Sequence, residues 1–359
     1  MKTTLLPLSI ALSALVLTAC GNNQTSNNAN TQTDNKATTG NASGQVELLN
    51  VSYDVARDFY KDYNPLFIKH YQGVNPDIKV NIKQSHGGSS KQALSVKNGL
   101  EADVVTMNQG SDVELLAEGQ LVDGKWRQNL PNNAIPFTST IVFIVRDGNP
   151  KGVKDWADLA KSGTDIVIAN PKTSGNGRYA FLGAYGYGLH TFNKDEAKTH
   201  EFVKGLLGNV KVFENGGRAA TTTFAQRQIG DVLITFENEA NVIKEKFGSI
   251  QIIYPSYTIN AENPVAVVDA VTAKKGTTDV AKAYLEHLYS DEGQELAVKY
   301  FLRPSNPDIL AKHADKFPQM QTFFPNDVFG DWQSIMTTYF KESGVYDTLA
   351  VGATGQVSQ

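Results

Sequence analysis

The chain has 359 residues, with 33 Lys and Arg against 37 Asp and Glu, and a formal net charge of −4. Hydrophobic residues make up 41% and charged residues 19%, enough apolar side chain to form a full core, so wholesale disorder is excluded. A deficit of positive charge does not fit sequence-independent phosphate binding, so no nucleic-acid partner is expected. The single cysteine excludes disulfides within the chain and zinc sites built from several cysteines.

Residues 1–19 are predicted to be a secretory signal peptide. Met1 and Lys2 precede an apolar run from Leu5 to Ala19, which is too short to cross a bilayer as a helix. The run ends in Leu17-Thr18-Ala19-Cys20, which resembles the bacterial lipoprotein box, where cleavage leaves an acylated N-terminal cysteine. We therefore expect lipidation at Cys20. The alternative is an accidental cysteine at the end of an ordinary signal.

Residues 20–45 are predicted to be the lipidated cysteine and a disordered tether. From Gly21 to Gly44 there is no aromatic residue, and alanine is the only aliphatic one. Such a segment cannot bury enough apolar surface to offset the entropy lost on ordering. We expect an extracytoplasmic, periplasmic body that meets the membrane only through its lipid. Gly21 after the cysteine resembles the outer-membrane type, if the cell is Gram-negative.

From residue 46 onward, short β-branched runs alternate with helical patterns, which is typical of an α/β fold with mostly parallel sheets. No low-complexity linker follows residue 44, so two lobes would have to be joined by ordered segments. In the last predicted helix, Gly293 is expected to mark a junction between two helices. The predicted strands cover residues 46–52, 78–83, 103–107, 140–145, 165–169, 210–213, 231–236, 251–254 and 265–269, and the predicted helices include 55–71, 91–99, 178–190, 195–207 and 279–301.

Four predicted loops lie at the carboxyl ends of strands and open into helices. At such positions free backbone N–H groups and the helix dipole point at one spot, which favours an anion. Glycine allows close approach of the backbone, and Ser and Thr hydroxyls add donors. One such loop is often only a turn and a cap, but four in one chain favour an anion site. The loops are Asn50 to Asp54, Gln84 to Lys91, Asn170 to Arg178 and Asn215 to Thr221.

These loops and several other motifs together resemble the periplasmic sulfate/thiosulfate-binding proteins of ABC importers. The resemblance runs from about Val46 to Ala350. It implies an α/β, two-lobe periplasmic-binding-protein fold of type II, in which each lobe is a mixed, mostly parallel sheet flanked by helices and a hinge joins the lobes. Lobe I would be residues 46–138 plus 261–359, and lobe II residues 139–260. The motifs include Leu48-Leu49-Asn50-Val51-Ser52-Tyr53-Asp54, Gln84-Ser85-His86-Gly87-Gly88-Ser89, Asn170-Pro171-Lys172-Thr173-Ser174-Gly175 and Phe329-Gly330-Asp331-Trp332.

The resemblance also implies a dehydrated dianion held by neutral donors alone, with no Lys or Arg against it. From their positions just after two of the loops, Arg178 and Arg218 could pair with the ligand, but a role in holding helix starts or carboxylates such as Glu237 and Glu239 is favoured. Lys172 is judged in the same way to be a solvated rim charge. Carried over position by position, the ligand residues would be Asp54 through its backbone N–H, Ser89, Ser90, Ser174, Gly175, Asn176, Gly217 and Phe236.

Four of these positions depart from the sulfate binders. Ser90 and Asn176 stand where those proteins have glycine, Gly217 where they have alanine, and Phe236 where a tryptophan donates its indole N–H. Phenylalanine has no donor. The pattern is similar to the thiosulfate-binding branch, whose ligand has a larger and softer outer sulfur. We therefore expect one site that accepts both sulfate and thiosulfate.

Phosphate keeps a proton at neutral pH and needs an acceptor, which a site built only of donors lacks. The Asp54 carboxylate could supply one, and its side chain is therefore assigned to orienting its own loop. Molybdate or phosphate, and a sensing rather than a transport role, stay open as alternatives.

Catalysis is not expected. Ser85 and His86 are adjacent, but neighbours in sequence do not usually face each other, and no G-x-S-x-G elbow is present. The histidines show no paired metal-ligand spacing, so neither a metal nor a cofactor is predicted. Without a Walker A motif, ATP would be hydrolysed by a separate ATPase that acts with the permease subunits.

Overall fold

The structure is a computed structural model, and it describes residues 44–353 and 355–357. The predicted signal peptide, Cys20 and all but the last two residues of the predicted tether lie outside the described residues. Those last two residues, Gly44 and Gln45, already belong to a strand. Within the described ranges, no helix combines the length and the apolar character needed to cross a membrane.

Two β-sheets carry the fold. The strands are β1 (Gly44–Tyr53), β2 (Ile78–Gly87), β3 (Val104–Thr106), β4 (Phe137–Arg146), β5 (Ile166–Ala169), β6 (Val210–Glu214), β7 (Val232–Phe236), β8 (Ile250–Ile253), β9 (Tyr257–Glu262), β10 (Val265–Val267), β11 (Arg303–Pro304), β12 (Gln321–Phe323) and β13 (Gln356–Val357).

Helices flank both sheets. The α-helices of five residues or more are α1 (Arg57–Val74), α2 (Ser89–Lys97), α3 (Gly110–Glu118), α4 (Gly175–Thr191), α5 (Glu196–Gly208), α6 (Gly217–Thr221), α7 (Glu237–Phe247), α8 (Asp269–Lys275), α9 (Thr278–Glu286), α10 (Asp291–Lys299), α11 (Pro307–Lys312), α12 (Pro325–Phe329) and α13 (Val345–Ala350). Shorter helical turns are Asp54–Ala56, Trp126–Gln128, Pro131–Ala134, Trp156–Leu159, His287–Tyr289 and Trp332–Ile335, and two π-helical segments are Thr222–Gln226 and Met336–Phe340.

The two sheets are each mixed, as predicted. The first has the strand order β10-β3-β1-β2, in which β1, β2 and β3 are parallel and β10 is antiparallel. The second has the order β12-β9-β4-β7-β5-β6-β13, with β8 and β11 also paired to β4. Its strands β5, β6 and β7 are parallel. Each sheet therefore has a parallel core whose strand ends point at one edge, and this confirms the predicted two-lobe α/β fold.

The strand pairing differs from the predicted lobe boundaries near the C-terminus. Those boundaries place the C-terminal residues in lobe I together with the first sheet. Instead, β12 pairs with β9 and β13 pairs with β6, so both add to the second sheet. These strands have two or three residues each, too short for sequence periodicity to reveal them.

Among the predicted elements, one strand is longer than expected and one helix is interrupted. The strand predicted over 78–83 continues to Gly87, because β1 pairs with it along its whole length and the glycine-rich signal for a loop is overridden. The helix predicted over 279–301 is interrupted, and its junction lies at Ser290 rather than at Gly293. The Ser290 hydroxyl accepts the Gly293 N–H at 3.1 Å and caps α10. The strand β9 was missed.

Helix α4 lies at the centre of the fold and is buried on every side from Gly175 to Gly188. Three glycines in it, Gly183, Gly186 and Gly188, allow close packing. A Cβ at Gly183 would lie 2.9 Å from the Trp156 ring, and one at Gly186 would overlap the Phe323 ring. The helix can pack this closely only because those positions have no side chain.

Replacement of Gly186 by alanine should therefore destabilise the protein by about 1–3 kcal/mol, since the added methyl has to displace Phe323. Urea unfolding is the measurement. Gly73→Ala is the matched control, because it lies in α1 with nothing within 4 Å of the added Cβ, and it should stabilise by about 0.4–1 kcal/mol. Equal midpoints for the two variants would contradict the packing role of Gly186.

Candidate functional site

The carboxyl ends of parallel strands from both sheets meet at one place. Gly88 follows β2, and a Cβ on it would lie 2.8 Å from the Thr173 carbonyl oxygen and 3.0 Å from the Asn215 carbonyl oxygen. Thr173 follows β5 and Asn215 follows β6. Three of the four predicted loops are thus in direct contact, and Gly88 permits this because it has no side chain.

The fourth loop joins them through Asp54, which follows β1. Its carboxylate Oδ2 accepts the backbone N–H of Arg218 at 3.0 Å, so it ties the start of α6 to the first sheet. This agrees with the expectation that the side chain orients a loop. Burial raises the pKa of Asp54, and the hydrogen bond from Arg218 opposes that shift.

Two longer helices begin at the place where the loops meet. Helix α2 starts at Ser89 and α4 starts at Gly175, with Ser174 as its N-cap residue. The first backbone N–H groups of a helix have no intrahelical acceptor and carry the positive end of its dipole. The backbone N–H groups of Ser89, Gly175 and Asn176 are therefore neutral donors without an acceptor in their own helix.

The predicted ligand hydroxyls have different surroundings. Ser174 is 1% exposed, and its Oγ has no hydrogen-bond partner among the described residues. The Ser89 Oγ accepts the Asn108 N–H at 3.2 Å and contacts only the weak acceptor Met107 Sδ, at 3.5 Å. Both hydroxyl protons are thus available to a ligand. Ser90 differs, because its Oγ donates to Asp112 Oδ1 at 2.8 Å and also accepts from Arg178.

Asn176, Gly217 and Phe236 complete the predicted set. The Asn176 side chain donates to the Thr235 hydroxyl at 3.1 Å, so the start of α4 lies beside the end of β7. A Cβ at Gly217 would lie 2.9 Å from the Val55 Cγ1 and 3.1 Å from the Asn176 Nδ2. Phe236 is 1% exposed and packs edge-on against a tyrosine of α4. It contributes apolar surface and no donor.

Arg178 pairs across the two sheets with a carboxylate that the sequence did not single out. Its Nη1 lies 3.8 Å from the Asp112 Oδ1, and both side chains are almost fully buried. Burial raises the pKa of Asp112, while the guanidinium acts in the opposite direction. Arg178 therefore neutralises a buried acid beside the loops, in keeping with its predicted supporting role.

Arg218 makes the second connection across the sheets. It donates to the Asp58 carboxylate of α1 at 2.8 Å and lies 3.5 Å from Glu239, one of its predicted partners. The other predicted carboxylate, Glu237, instead pairs with Arg303 at 2.7 and 2.9 Å. Burial raises the pKa of Glu239 to about 7.

Lys172 is not the solvated rim charge that the sequence indicated. Its Nζ donates to the carbonyl oxygens of Phe340 and Lys341, at 3.0 and 3.1 Å, and to the Asp347 carboxylate at 2.8 Å. This lysine ties the loop after β5 to the C-terminal segment. The contact joins residues far apart in sequence, so no local pattern could have predicted it.

The loop after β3 was also missed. Asn108 and Gln109 are 1% and 0% exposed, and a Cβ at Gly175 would overlap the Asn108 Oδ1. Their signal was available, since two amide residues and Gly110 follow a buried strand and open into α3. In the described part of the chain, no group of three or more His, Cys, Asp or Glu side chains is placed to hold a metal ion.

Comparison with known proteins agrees with this geometry. Residues 48–303 match the family model described as bacterial extracellular solute-binding protein. The chain is 55% identical to the thiosulfate-binding protein of Pseudomonas aeruginosa over 86% of its own length and 94% of the relative's. It is 47% identical to the sulfate-binding protein of Salmonella typhimurium, over 88% and 96%. The solved sulfate-binding protein SubI of Mycobacterium tuberculosis superposes with a TM-score of 0.74 at 31% identity, over 81% and 98%.

The fold and the site thus define a solute-binding protein with two lobes, in which loops from both sheets surround a small polar site. The chain belongs to the bacterial extracellular solute-binding proteins and, among them, to the sulfate- and thiosulfate-binding proteins of ABC importers.

Because Glu239 is buried and its pKa is raised, we expect the unfolding free energy to depend on pH. Its pKa is raised from 4.5 to about 7, so the folded protein binds more protons than the unfolded chain between those values, and stability falls as pH rises through this window. From pH 5 to 7.5 the wild type should lose about 2 kcal/mol of unfolding free energy more than Glu239→Gln, which cannot titrate.

Denaturant unfolding of the two proteins at both pH values measures this difference. Because Gln has nearly the shape of Glu, the variant controls for every other group that titrates in the same range. Parallel pH profiles would show that Glu239 is ionised throughout.

Proposed function

We propose that the protein binds sulfate and thiosulfate at the meeting point of the four loops and delivers them to the permease of an ABC importer, which works with a separate ATPase. The observation that carries the proposal is the buried, unpartnered Ser174 hydroxyl at the N-terminus of α4, opposite the start of α2. A small anion would accept from this hydroxyl and from the free backbone N–H groups of both helices.

The ligand set we propose is the predicted one without Ser90: the backbone N–H groups of Asp54, Ser89, Gly175, Asn176 and Gly217, and the hydroxyls of Ser89 and Ser174. Phe236 would line the site without donating. The Ser90 hydroxyl is occupied by Asp112 and Arg178, so we assign it to supporting the start of α2. Arg178 and Arg218 would stabilise the loops through their carboxylate partners, so the dianion would contact neutral groups only.

Selection against phosphate follows from the same donors. Hydrogenphosphate needs an acceptor for its proton, and the proposed ligand set offers none, since the Asp54 side chain is assigned to holding the Arg218 N–H through Oδ2. The larger outer sulfur of thiosulfate is a weaker hydrogen-bond acceptor than oxygen. The ring of Phe236 would pack against this sulfur, which loses little by having no donor there. This supports one site for both sulfur oxyanions.

Closure would be a hinge motion in which the anion bridges the two lobes. The contacts that join the sheets here, Asp54 with Arg218 and Asp112 with Arg178, would form as the loops meet. We propose that the hinge lies near residues 139–140 and 264–265. The proposed place of the protein is the periplasm, with Cys20 acylated and residues 21–43 as its tether.

Titration calorimetry with sulfate, thiosulfate, molybdate and phosphate tests the proposal. We expect heat with both sulfur oxyanions and competition between them at a stoichiometry of one, and none with phosphate. Sulfate binding without competition from thiosulfate would contradict the shared site, and binding of neither would contradict the function.

The lipid anchor has a separate test, because it does not depend on ligand binding. The full chain expressed in a cell with lipoprotein processing should label with a radioactive fatty acid, and Cys20→Ser should abolish the label. An unlabelled wild type would contradict the anchor.

Ser174→Ala should weaken both ligands by about one to two decades, because it removes one hydrogen bond to a charged group, about 1.5–3 kcal/mol. Ser95→Ala is the matched control, since that hydroxyl donates to the Lys91 carbonyl oxygen within α2 and should leave the dissociation constant unchanged. Calorimetry measures both variants, and equal affinities would remove Ser174 from the ligand set.

A further inference from the structure

Asn108, at the end of β3, lies between two of the residues proposed to bind the anion. Its backbone N–H donates to the Ser89 Oγ at 3.2 Å, and its side-chain Oδ1 lies against the Cα of Gly175, where a Cβ would overlap it. Ser89 begins α2 and Gly175 begins α4, one beside each sheet. Asn108 therefore lies beside the space where the two helix starts face each other.

Two carbonyl oxygens at this point have no donor. Among the described residues, neither Asn108 Oδ1 nor Gln109 Oε1 has a hydrogen-bond partner, although these residues are only 1% and 0% exposed. Both oxygens lie within 3 Å of the same point beside Gly175. A buried polar atom without a partner is unfavourable and calls for a partner such as a ligand.

The orientation of the Gln109 amide is set by its surroundings. Its Nε2 donates to Ser111 Oγ at 2.8 Å, to Asp112 Oδ1 at 2.9 Å and to Ser90 Oγ at 3.2 Å. The Asp112 carboxylate only accepts, and the Ser90 hydroxyl already donates to it, so turning this amide would place its oxygen against two acceptors. Oε1 is consequently held toward Gly175 as a fixed acceptor.

The Asn108 amide can turn. A half-turn about its Cβ–Cγ bond exchanges Oδ1 and Nδ2 without a change of shape, because the two groups are nearly the same size. In that orientation Nδ2 has two hydrogens, of which one can reach Gln109 Oε1 and the other the space between the helix starts. The turn moves the Asn108 oxygen away from Gly175 and brings an N–H group toward Gln109 Oε1.

We propose that Asn108 is a further ligand-contacting and specificity-determining residue, whose side-chain Nδ2 donates to the bound sulfur oxyanion while Gln109 Oε1 holds the amide in that orientation. This rests on the proposed function and deepens it. Gln109 acts as a positioning residue. An amide held as a donor offers nothing to the proton of hydrogenphosphate, so the pair favours fully deprotonated tetrahedral dianions.

Asn108→Asp tests the proposal by replacing the donor with a negatively charged acceptor of the same shape. We expect the dissociation constants of sulfate and thiosulfate to rise at least 100-fold by calorimetry at pH 7.5. The matched control is Asn98→Asp, which adds the same charge at the exposed far end of α2 and should stay within twofold of the wild type. If the two variants differ by less than threefold, the proposal is wrong.

Asn108→Ala is the second variant, because a smaller side chain avoids both the charge and any overlap with Gly175. We expect about a tenfold loss of affinity, with the melting temperature of the ligand-free protein within about 2 °C of the wild type. A lower melting temperature with unchanged affinity would give Asn108 a structural role only and overturn the proposal. Failure of the wild type to bind either anion would instead overturn the proposed function.

Discussion

The close approach of loops from two separate sheets is the constraint on which the rest of the structure depends. Gly88 brings the end of β2 to the carbonyl oxygens of Thr173 and Asn215, and nothing larger than glycine fits there. This contact places the starts of α2 and α4 opposite each other. Because each start has N–H groups without intrahelical acceptors, the same contact that joins the sheets also concentrates neutral donors.

Charged side chains support this arrangement without supplying its donors. Arg178 pairs with Asp112, and Arg218 pairs with Asp58 and Glu239, so each guanidinium is occupied by carboxylates. A buried pair of this kind contributes little net stability but is costly to break, because one charge is then left alone in a poorly solvated place. The pairs therefore fix which loops meet, while neutral donors are left for a dianion. A net charge of −4 is compatible with such a site.

Much of the fold and of the proposed site could be predicted because its signals are local. Loops after β-branched runs contain Asp54, Ser89, Ser174 and Gly217, three of these loops are glycine-rich, and the family resemblance assigned these residues to the site. Other parts could not be predicted, because they depend on contacts between residues distant in sequence. The pairing of β12 and β13 with the second sheet is one example, and the contact of Lys172 with Asp347 is another.

The sequence by itself determined the α/β class, the strand ends that carry the loops and the residue types that can donate, because these depend on periodicity and on backbone preferences near each residue. Only the tertiary structure decided what each polar group does. It turned the Ser90 hydroxyl toward Asp112, left that of Ser174 without a partner, and placed the Asn108 amide against Gly175. The physical reason is that a buried hydrogen bond depends on which groups folding brings within about 3 Å, and one chain can bring together residues from either sheet.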